Sequence, residues 1–361
     1  MFSCRVANGI LLAVVLSLMP TSPAAPQQPI QPPPPPRVPV VARAFVSVSG
    51  DDGTTCGPVW PCRTFAQALT VVTRGGEVVV LSSGDYEPFS ITKPVSVVSA
   101  PGVHAVITAT SGDAITVETL GAVALRGLTL NGLGGVTGIN VVSVDVLDVE
   151  DFILNGFTGN AIAFVVPFTT PPPPPERLPQ LHIRDTTVKN SGSDFASAVY
   201  ISTDGRALID RLRMDRNRHG LVVDSGRVTI RDSVAASQVV HAVWARGLNN
   251  TVNLNIENCT IVGTESGSGI VAGDPSGPRN FLGSILVWDS TLTSNATGIS
   301  AFPWNAPDFR VQTAVFVSNT TIALNQKGIV HSGGTFVLSR GNNTLEGNGD
   351  DGGFTGGFSG K

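Results

Sequence analysis

Residues able to do chemistry recur at a fixed interval of 22 residues in the middle of the chain. Three triplets keep this interval: Ser197, His219 and His241; Tyr200, Val222 and Trp244; and Ser202, Asp224 and Arg246. If each interval is one turn of a repeating fold, the members of a triplet stack about 4.8 Å apart. The spacing therefore predicts a small lateral patch that combines aromatic rings, imidazoles, a carboxylate and a guanidinium.

Such a patch is suited to binding sugars, whose apolar faces pack on aromatic rings and whose hydroxyl groups meet polar side chains. A catalytic alternative uses Asp224, Arg246 and His219 as acid–base groups. A structural role explains the same residues equally well, because an outward Asp beside an Arg is an ordinary cross-strand pair. No carboxylate or cysteine shares the column of the two histidines, so we predict no metal site.

A short phrase that recurs along the chain must position these residues. It reads small residue, branched aliphatic residue, any residue, apolar residue. Its copies begin at Ala114, Gly138, Ala161, Ala198, Gly220, Ala242, Gly269, Gly298 and Gly328. A stretch with the apolar alternation of a half-buried strand follows, as in Val228-Thr229-Ile230-Arg231.

Asp or Asn ends each alternating stretch, and a third, shorter apolar step comes next. The ending residues are Asp151, Asp185, Asp210, Asp232, Asn258, Asp289, Asn319 and Asn342, and a later set is Asn155, Asn190, Asn295, Asn325 and Asn348. We predict both sets to lie in turns, because Asp and Asn bond their own backbone and Asn tolerates left-handed conformations. Three strands and three turns in about two dozen residues predict one coil of an all-β, right-handed parallel β-helix, repeated about ten times.

The chain resembles the right-handed β-helix repeat family within the pectate-lyase-like superfold, over roughly residues 44–348. Its first part, with Cys62-Arg63-Thr64-Phe65 followed by Gly75-Gly76-Glu77-Val78, is similar to the N-terminal coil of such proteins. The resemblance implies the fold, but the superfold includes lyases, hydrolases, epimerases and proteins without known activity. Calcium is expected only if the chain is a lyase, and the paired carboxylates of the polygalacturonase-like family are absent.

Both ends of the solenoid need covering, because an open sheet edge pairs with other chains. Residues 63–73 have apolar residues at helical spacing and predict a short helix over the first coil. Residues 349–361 are Gly-rich and predict a flexible tail. The C-terminal end is then covered by this tail or by a second subunit, so an oligomer is left open.

Three long insertions follow the same strand of their coils, at 166–180, 273–283 and 302–313. They are expected on one side of the solenoid, as walls of a trough beside the patch. Phe302 and Trp304 extend the aromatic surface on the third wall. The proline run at 171–175 is equally typical of a low-complexity expansion.

The N-terminus predicts export. Residues 1–25 have the pattern of a signal peptide, 26–42 form a proline-rich linker, and the β-helix domain takes 43–348. Cys56 and Cys62 are close enough to form a disulfide in an exported protein. No apolar run is long enough for a membrane span, and a net charge of −4 argues against nucleic acid as a partner.

These observations favour a secreted, periplasmic or cell-surface protein that binds a polysaccharide or another extended polymer. Its ligand-binding residues would be Tyr200, Ser202, His219, Asp224, His241, Trp244, Arg246, Phe302 and Trp304. We expect binding without catalysis and without a cofactor. A polysaccharide lyase or glycoside hydrolase acting on an acidic polysaccharide is the first alternative, and a structural or adhesive rod is the second.

Overall fold

The computed structural model describes residues 40–167, 178–193, 196–247, 251–274, 282–302 and 314–359. These residues lie in one compact unit, Pro39–Lys361, and they are 57% strand and 2% helix. The predicted signal peptide and most of the predicted linker lie outside the described residues. The boundary at residue 42 is corrected, because the first strand already begins at Val41.

The described residues form one helix, α1 (Phe65–Val71), and a long series of short strands. In chain order the strands are β1 (Val41–Val46), β2 (Val72–Val80), β3 (Gly84–Tyr86), β4 (Phe89–Ile91), β5 (Val95–Ser99), β6 (Ala105–Ala109), β7 (Asp113–Glu118), β8 (Ala122–Arg126), β9 (Leu128–Gly132), β10 (Thr137–Ser143), β11 (Val146–Glu150), β12 (Ile153–Asn155), β13 (Ile162–Val165), β14 (Gln180–Arg184), β15 (Thr187–Lys189), β16 (Ser197–Asp210), β17 (Arg213–Asp215), β18 (His219–Arg231), β19 (Val234–Ala236), β20 (Val243–Ala245), β21 (Thr251–Glu257), β22 (Thr260–Val262), β23 (Ser268–Ala272), β24 (Leu282–Trp288), β25 (Thr291–Thr293), β26 (Thr297–Ala301), β27 (Ala314–Ser318), β28 (Thr321–Ala323), β29 (Lys327–His331), β30 (Phe336–Ser339), β31 (Thr344–Glu346) and β32 (Gly356–Gly357).

The strands stack in three rows, each strand pairing in parallel with its counterparts one coil away. The leading row is β4, β7, β10, β13, the first parts of β16 and β18, β20, β23, β26 and β29. The second row runs from β1 to β32 and includes the later parts of β16 and β18, and the third row is an 11-stranded sheet from β3 to β31. The predicted right-handed parallel β-helix is confirmed. No helix in the described ranges is long and apolar enough to cross a membrane.

The recurrent phrase explains the core. Its branched aliphatic residues face inward and align coil after coil in one stack, each at most 3% exposed. They are Ile115, Ile139, Ile162, Val199, Leu221, Val243, Ile270, Ile299 and Ile329. Burying a side chain of this size is favourable by about 1.5–3 kcal/mol, so every coil adds its own increment to the core.

The small residue that begins the phrase is required by the closeness of the next coil. A Cβ atom on Gly298 would lie 2.6 Å from the carbonyl oxygen of Gly328 and 2.7 Å from Cγ2 of Ile322. A Cβ on Gly220 would lie 2.3 Å from the carbonyl oxygen of Ala242. These positions therefore take glycine because backbone atoms, which cannot move aside, fill the space.

We expect Gly298→Ala to lower the free energy of unfolding by about 1–3 kcal/mol, since the added methyl overpacks the coil interface. Urea unfolding followed by circular dichroism measures this. Gly333→Ala is the matched control, because nothing lies within 4 Å of a Cβ built there. Equal midpoints for the two variants would contradict the explanation.

The turn after the second row uses left-handed residues, largely as predicted. Asp151, Asp185, Asp232, Asn258, Asp289 and Asn319 all have φ between 46° and 57°. Two members of the set do not take this conformation: Asn342, and Asp210, whose place is taken by Arg211 with φ of 51°. Asp210 is instead only 4% exposed and accepts a hydrogen bond from Arg211.

Asn295 and Asn325 lie in bends between strands, as expected of the later asparagines, but their side chains are buried and form a ladder of amides. The Nδ2 of Asn295 donates to the Oδ1 of Asn325 at 3.0 Å, and the Nδ2 of Asn325 donates to the Oδ1 of Asn348 at 2.9 Å. Each amide also accepts a backbone N–H bond from the previous coil. The left-handed positions beside them belong to Ser294 and Leu324.

We expect Asn325→Ala to lower the free energy of unfolding by about 3 kcal/mol, because it leaves the buried N–H and amide of Asn295 without their acceptor. Asn131→Ala, on the outer face of β9, is the control and should change little. Similar losses in the two variants, measured by urea unfolding, would argue against the ladder as a source of stability.

A helix and a disulfide loop cover the N-terminal end. Thr64 caps α1 through its side-chain oxygen, and Phe65 packs on Phe89 with ring centroids 4.3 Å apart. The helix is shorter than the predicted 63–73, because the backbone becomes extended at Val72 and enters β2. The predicted Cys56–Cys62 disulfide is present. The two cysteines form backbone hydrogen bonds with Phe45 of β1. These bonds pair backbone polar groups at the outer edge of the first coil.

The C-terminal end is covered by the Gly-rich segment, which differs from the predicted flexible tail. Gly356–Gly357 form β32 on β30, and the ring of Phe358 lies edge-on to Phe316 at 5.4 Å. Asp351 accepts the last bonds of the amide ladder from Asn348, at 2.7 and 3.0 Å. This end is therefore closed by the chain's own residues.

Candidate functional site

The leading row carries most of the predicted patch in the coils of β16, β18 and β20. Tyr200 pairs in register with Val222, and Val222 pairs with Trp244. Ser197 pairs with His219, whose ring lies 5.5 Å from that of His241. The structure thus brings the aromatic and histidine members together along the axis.

The third triplet is corrected, because Ser202 pairs with Ser225 and not with Asp224. A bulge in β18 puts one extra residue before Ser225, and β16 has two extra residues between Ser202 and Arg206, so that Arg206 pairs with Arg227. The interval between these two coils is therefore 22 residues in the leading row and 21 in the second row. The recurrent phrase lies in the leading row, so its constant spacing did not show these shifts.

Asp224 is the centre of a buried polar network. It accepts two hydrogen bonds from Arg246, at 2.7 and 2.6 Å, and one from the hydroxyl of Tyr200 at 2.5 Å. The carboxylate is only 3% exposed. Two-pronged pairs of this kind are strong and geometrically specific, so Asp224 fixes the positions of both partners.

The guanidinium of Arg246 also lies between two aromatic rings. Its central carbon is 5.9 Å from the ring of Tyr200 and 5.3 Å from that of Trp244. The indole N–H of Trp244 donates to the carbonyl oxygen of Gly273 at 2.7 Å. The polar atoms of these side chains are thus bonded within the protein, and the cluster forms a rigid aromatic wall.

The two histidines are neutral at neutral pH. Burial lowers the pKa of His219 to about 3, helped by His241 and the nearby cations Arg218 and Arg246. Burial lowers the pKa of His241 to about 4, against a small opposing effect of Asp274. The Nδ1 of His241 accepts a hydrogen bond from the backbone N–H of Ser268 at 3.1 Å. This nitrogen therefore carries no proton.

The patch was expected on an open lateral face, and its burial corrects this. Asp224, His219 and Val222 are each at most 5% exposed, although their positions face away from the core. Tyr200, Trp244 and Arg246 are half-buried. These three side chains, with Ser202 and His241, are the partly exposed members of the patch among the described residues.

The predicted extension of the patch is described only in part. Phe302 follows β26, and its backbone N–H donates to Ala272 beside Gly273, so it lies two coils beyond Trp244 on the same corner. Trp304, and most of the three insertions predicted as walls (168–177, 275–281 and 303–313), lie outside the described residues.

A polar cavity of about 270 Å³ lies at the corner between the leading and second rows, two residues beyond Asp224 in β18. It is lined by Asp204, Gly226, Arg227, Thr251 and Asn253. Burial raises the pKa of Asp204, and the charge of Arg227 partly opposes this. The cavity exists because β16 and β18 turn this corner without any inserted residues.

Sequence reasoning missed this cavity as a site. The signal was present in the pattern of insertions. Long connections at this corner follow β13 and β23, whereas β16 and β18 continue through it without a break and only residues 246–250 connect β20 to β21. Coils that have no insertion, between coils that have one, therefore indicate a recess at this corner.

The cluster offers little to acid–base catalysis. Arg246 is unsuited to accept a proton, because its bonds to Asp224 raise its pKa. The carboxylate of Asp224 is already bonded through both oxygens. Within the described ranges no group of three or more His, Cys, Asp or Glu is arranged to hold a metal ion.

Two solved structures resemble this chain. The crystal structure of pectate lyase Pel9A matches with a TM-score of 0.46 and 12% identity, over 85% of this chain and 76% of that one. The A-module of mannuronan C-5 epimerase AlgE4 from Azotobacter vinelandii matches with a TM-score of 0.43 and 15% identity, over 80% of this chain and 91% of that one. No protein-family model and no curated protein matches the sequence.

We expect the protein to lose stability in acid because of the two buried histidines. Their pKa values are depressed in the folded state, so the unfolded chain binds protons first as pH falls below about 6.5. Stability is therefore full above that pH. Between pH 7 and pH 5 each histidine should cost about 2 kcal/mol, measured by urea unfolding at both values.

His219→Gln should remove roughly half of this loss. His182→Gln is the control, since His182 is partly exposed and bonded to Asp148. An unchanged pH dependence in His219→Gln would mean that the buried imidazole is not its source.

Proposed function

We propose that this protein is exported and binds a polysaccharide, without cleaving it, at the corner where β16, β18 and β21 approach one another. The observation that carries the proposal is a polar cavity beside a rigid aromatic wall on this one corner. Binding sites for small molecules combine apolar and aromatic surface with a few fixed polar groups, and the rings and hydroxyls of a sugar need both.

The wall and the cavity have different roles. Tyr200, Arg246 and Trp244 are held by Asp224 and by Gly273, so their geometry is set before a ligand arrives. A preformed surface loses less conformational entropy on binding. The cavity supplies polar side chains from Asp204, Arg227, Thr251 and Asn253 that a sugar hydroxyl can approach.

Binding is better supported than the lyase or hydrolase alternative. That alternative assigns proton transfer to Asp224, Arg246 and His219. Asp224 is buried in an ion pair and Arg246 has a raised pKa, while His219 is 5% exposed. A group that exchanges protons with a substrate must reach it within hydrogen-bond distance, and these groups are turned toward one another.

Export is supported by the disulfide together with the predicted signal peptide. Cys56 and Cys62 close a short loop that bonds the edge strand β1. Such bonds persist in oxidising compartments and are rare in the cytosol. The cell surface or the periplasm is where a polysaccharide would be met.

Affinity electrophoresis in gels that contain soluble neutral and acidic polysaccharides tests the proposal. We expect retention of the full disulfide-bonded chain by at least one of them. Trp244→Phe should weaken that retention about tenfold, because it shortens the wall and removes the bond to Gly273. Trp288→Phe is the matched control, as Trp288 is also half-buried on an outer face, in β24.

Assays for reducing and unsaturated chain ends accompany the binding test, with thermal unfolding to verify that the variants fold. Product formation that is lost in a folded Asp224→Asn variant would replace this proposal by the catalytic alternative. Retention by none of the polysaccharides would refute it outright.

A further inference from the structure

We infer that the corner cavity takes a single neutral sugar unit of the polymer and holds it through its hydroxyl groups; this rests on the proposed function above. The inference comes from the balance of charge around the cavity, from the hydrogen-bonding groups in its lining, and from its size.

The charges at the corner are matched locally. The lining has one carboxylate, Asp204, and one guanidinium, Arg227, which acts on it electrostatically. In the adjacent wall the charge of Arg246 is neutralised by Asp224. The carboxylate of an anionic sugar would lie beside Asp204 and would lose its hydration. The lining has no cation that is not already balanced by a carboxylate, so nothing would compensate for this loss.

Arg206 is the nearest further cation along the row, in register with Arg227. It is exposed and does not line the cavity. An acidic polymer drawn to both arginines would therefore lie outside the cavity. Binding of an acidic polymer would therefore weaken as salt is added, because salt screens such interactions.

The lining residues together suit hydroxyl groups. The carboxylate of Asp204 only accepts hydrogen bonds and the guanidinium of Arg227 only donates them, whereas the amide of Asn253 and the hydroxyl of Thr251 do both. A sugar hydroxyl also donates and accepts, so neighbouring hydroxyls of one ring can satisfy several of these groups together.

The cavity is small. Its volume of about 270 Å³ falls at the lower limit of ligand pockets, which run from roughly 300 to 1,000 Å³. It is bounded by residues of only three coils, in β16, β18 and β21. One ring fits this space, and the rest of the polymer would pass over the aromatic wall.

Titration calorimetry with a neutral polysaccharide identified by the gel assay tests the inference. We expect affinity to change less than twofold between 50 and 500 mM NaCl. Asp204→Asn and Asn253→Ala should each weaken binding at least tenfold. Asn131→Ala, on the outer face of β9, is the matched control and should bind as the wild type does.

The outcomes separate this inference from the proposed function. Binding of a polyuronate that falls steeply with salt and is lost in Arg206→Gln or Arg227→Gln, with Arg213→Gln as control, would overturn the neutral ligand but keep polysaccharide binding. Neutral binding that is indifferent to Asp204→Asn and Asn253→Ala would overturn the cavity as its site. Absence of any binding by the wild type would overturn both.

Discussion

Parallel pairing between successive coils is the constraint on which this structure depends. Every strand in the described ranges pairs with strands one coil away, so a residue's neighbours along the axis are set by coil length and not by sequence proximity. This is why the inner aliphatic residues from Ile115 to Ile329 form one stack. It is also why Gly298 must be glycine, since the next backbone passes where a side chain would begin.

The same constraint decides which polar groups meet. Along the turn edges it produces the amide ladder of Asn295, Asn325 and Asn348, in which each amide satisfies groups from two coils. On the outer face it produces the network of Asp224 and Arg246. Both arrangements solve one problem, because a buried polar group is costly unless it is bonded. In the second case the solution also fixes two aromatic rings beside a cavity.

The fold could be predicted from the sequence because the spacing of the recurrent apolar phrases gives the lengths of the strands, turns and coils. The register of Tyr200 with Trp244 followed from the same counting. The pairing of Ser202 did not, since irregularities in β16 and β18 shift the register after the leading strand. The turn positions of Asn295 and Asn325 were predicted, but residue type could not show that their amides bond between coils. The cavity forms where the corner has no inserted residues, and a search for chemically active residues does not detect such a place.

The way the last coil ends has a consequence for how such a chain can change length. Asp351 follows the amide ladder with a carboxylate that accepts from Asn348 and has no N–H to donate further. Residues 350–358 bond to the coil directly beneath them. Whole coils can therefore be inserted or removed between the N-terminal cap and this coil without changing the contacts of either, so the number of coils can vary independently of the corner near the middle.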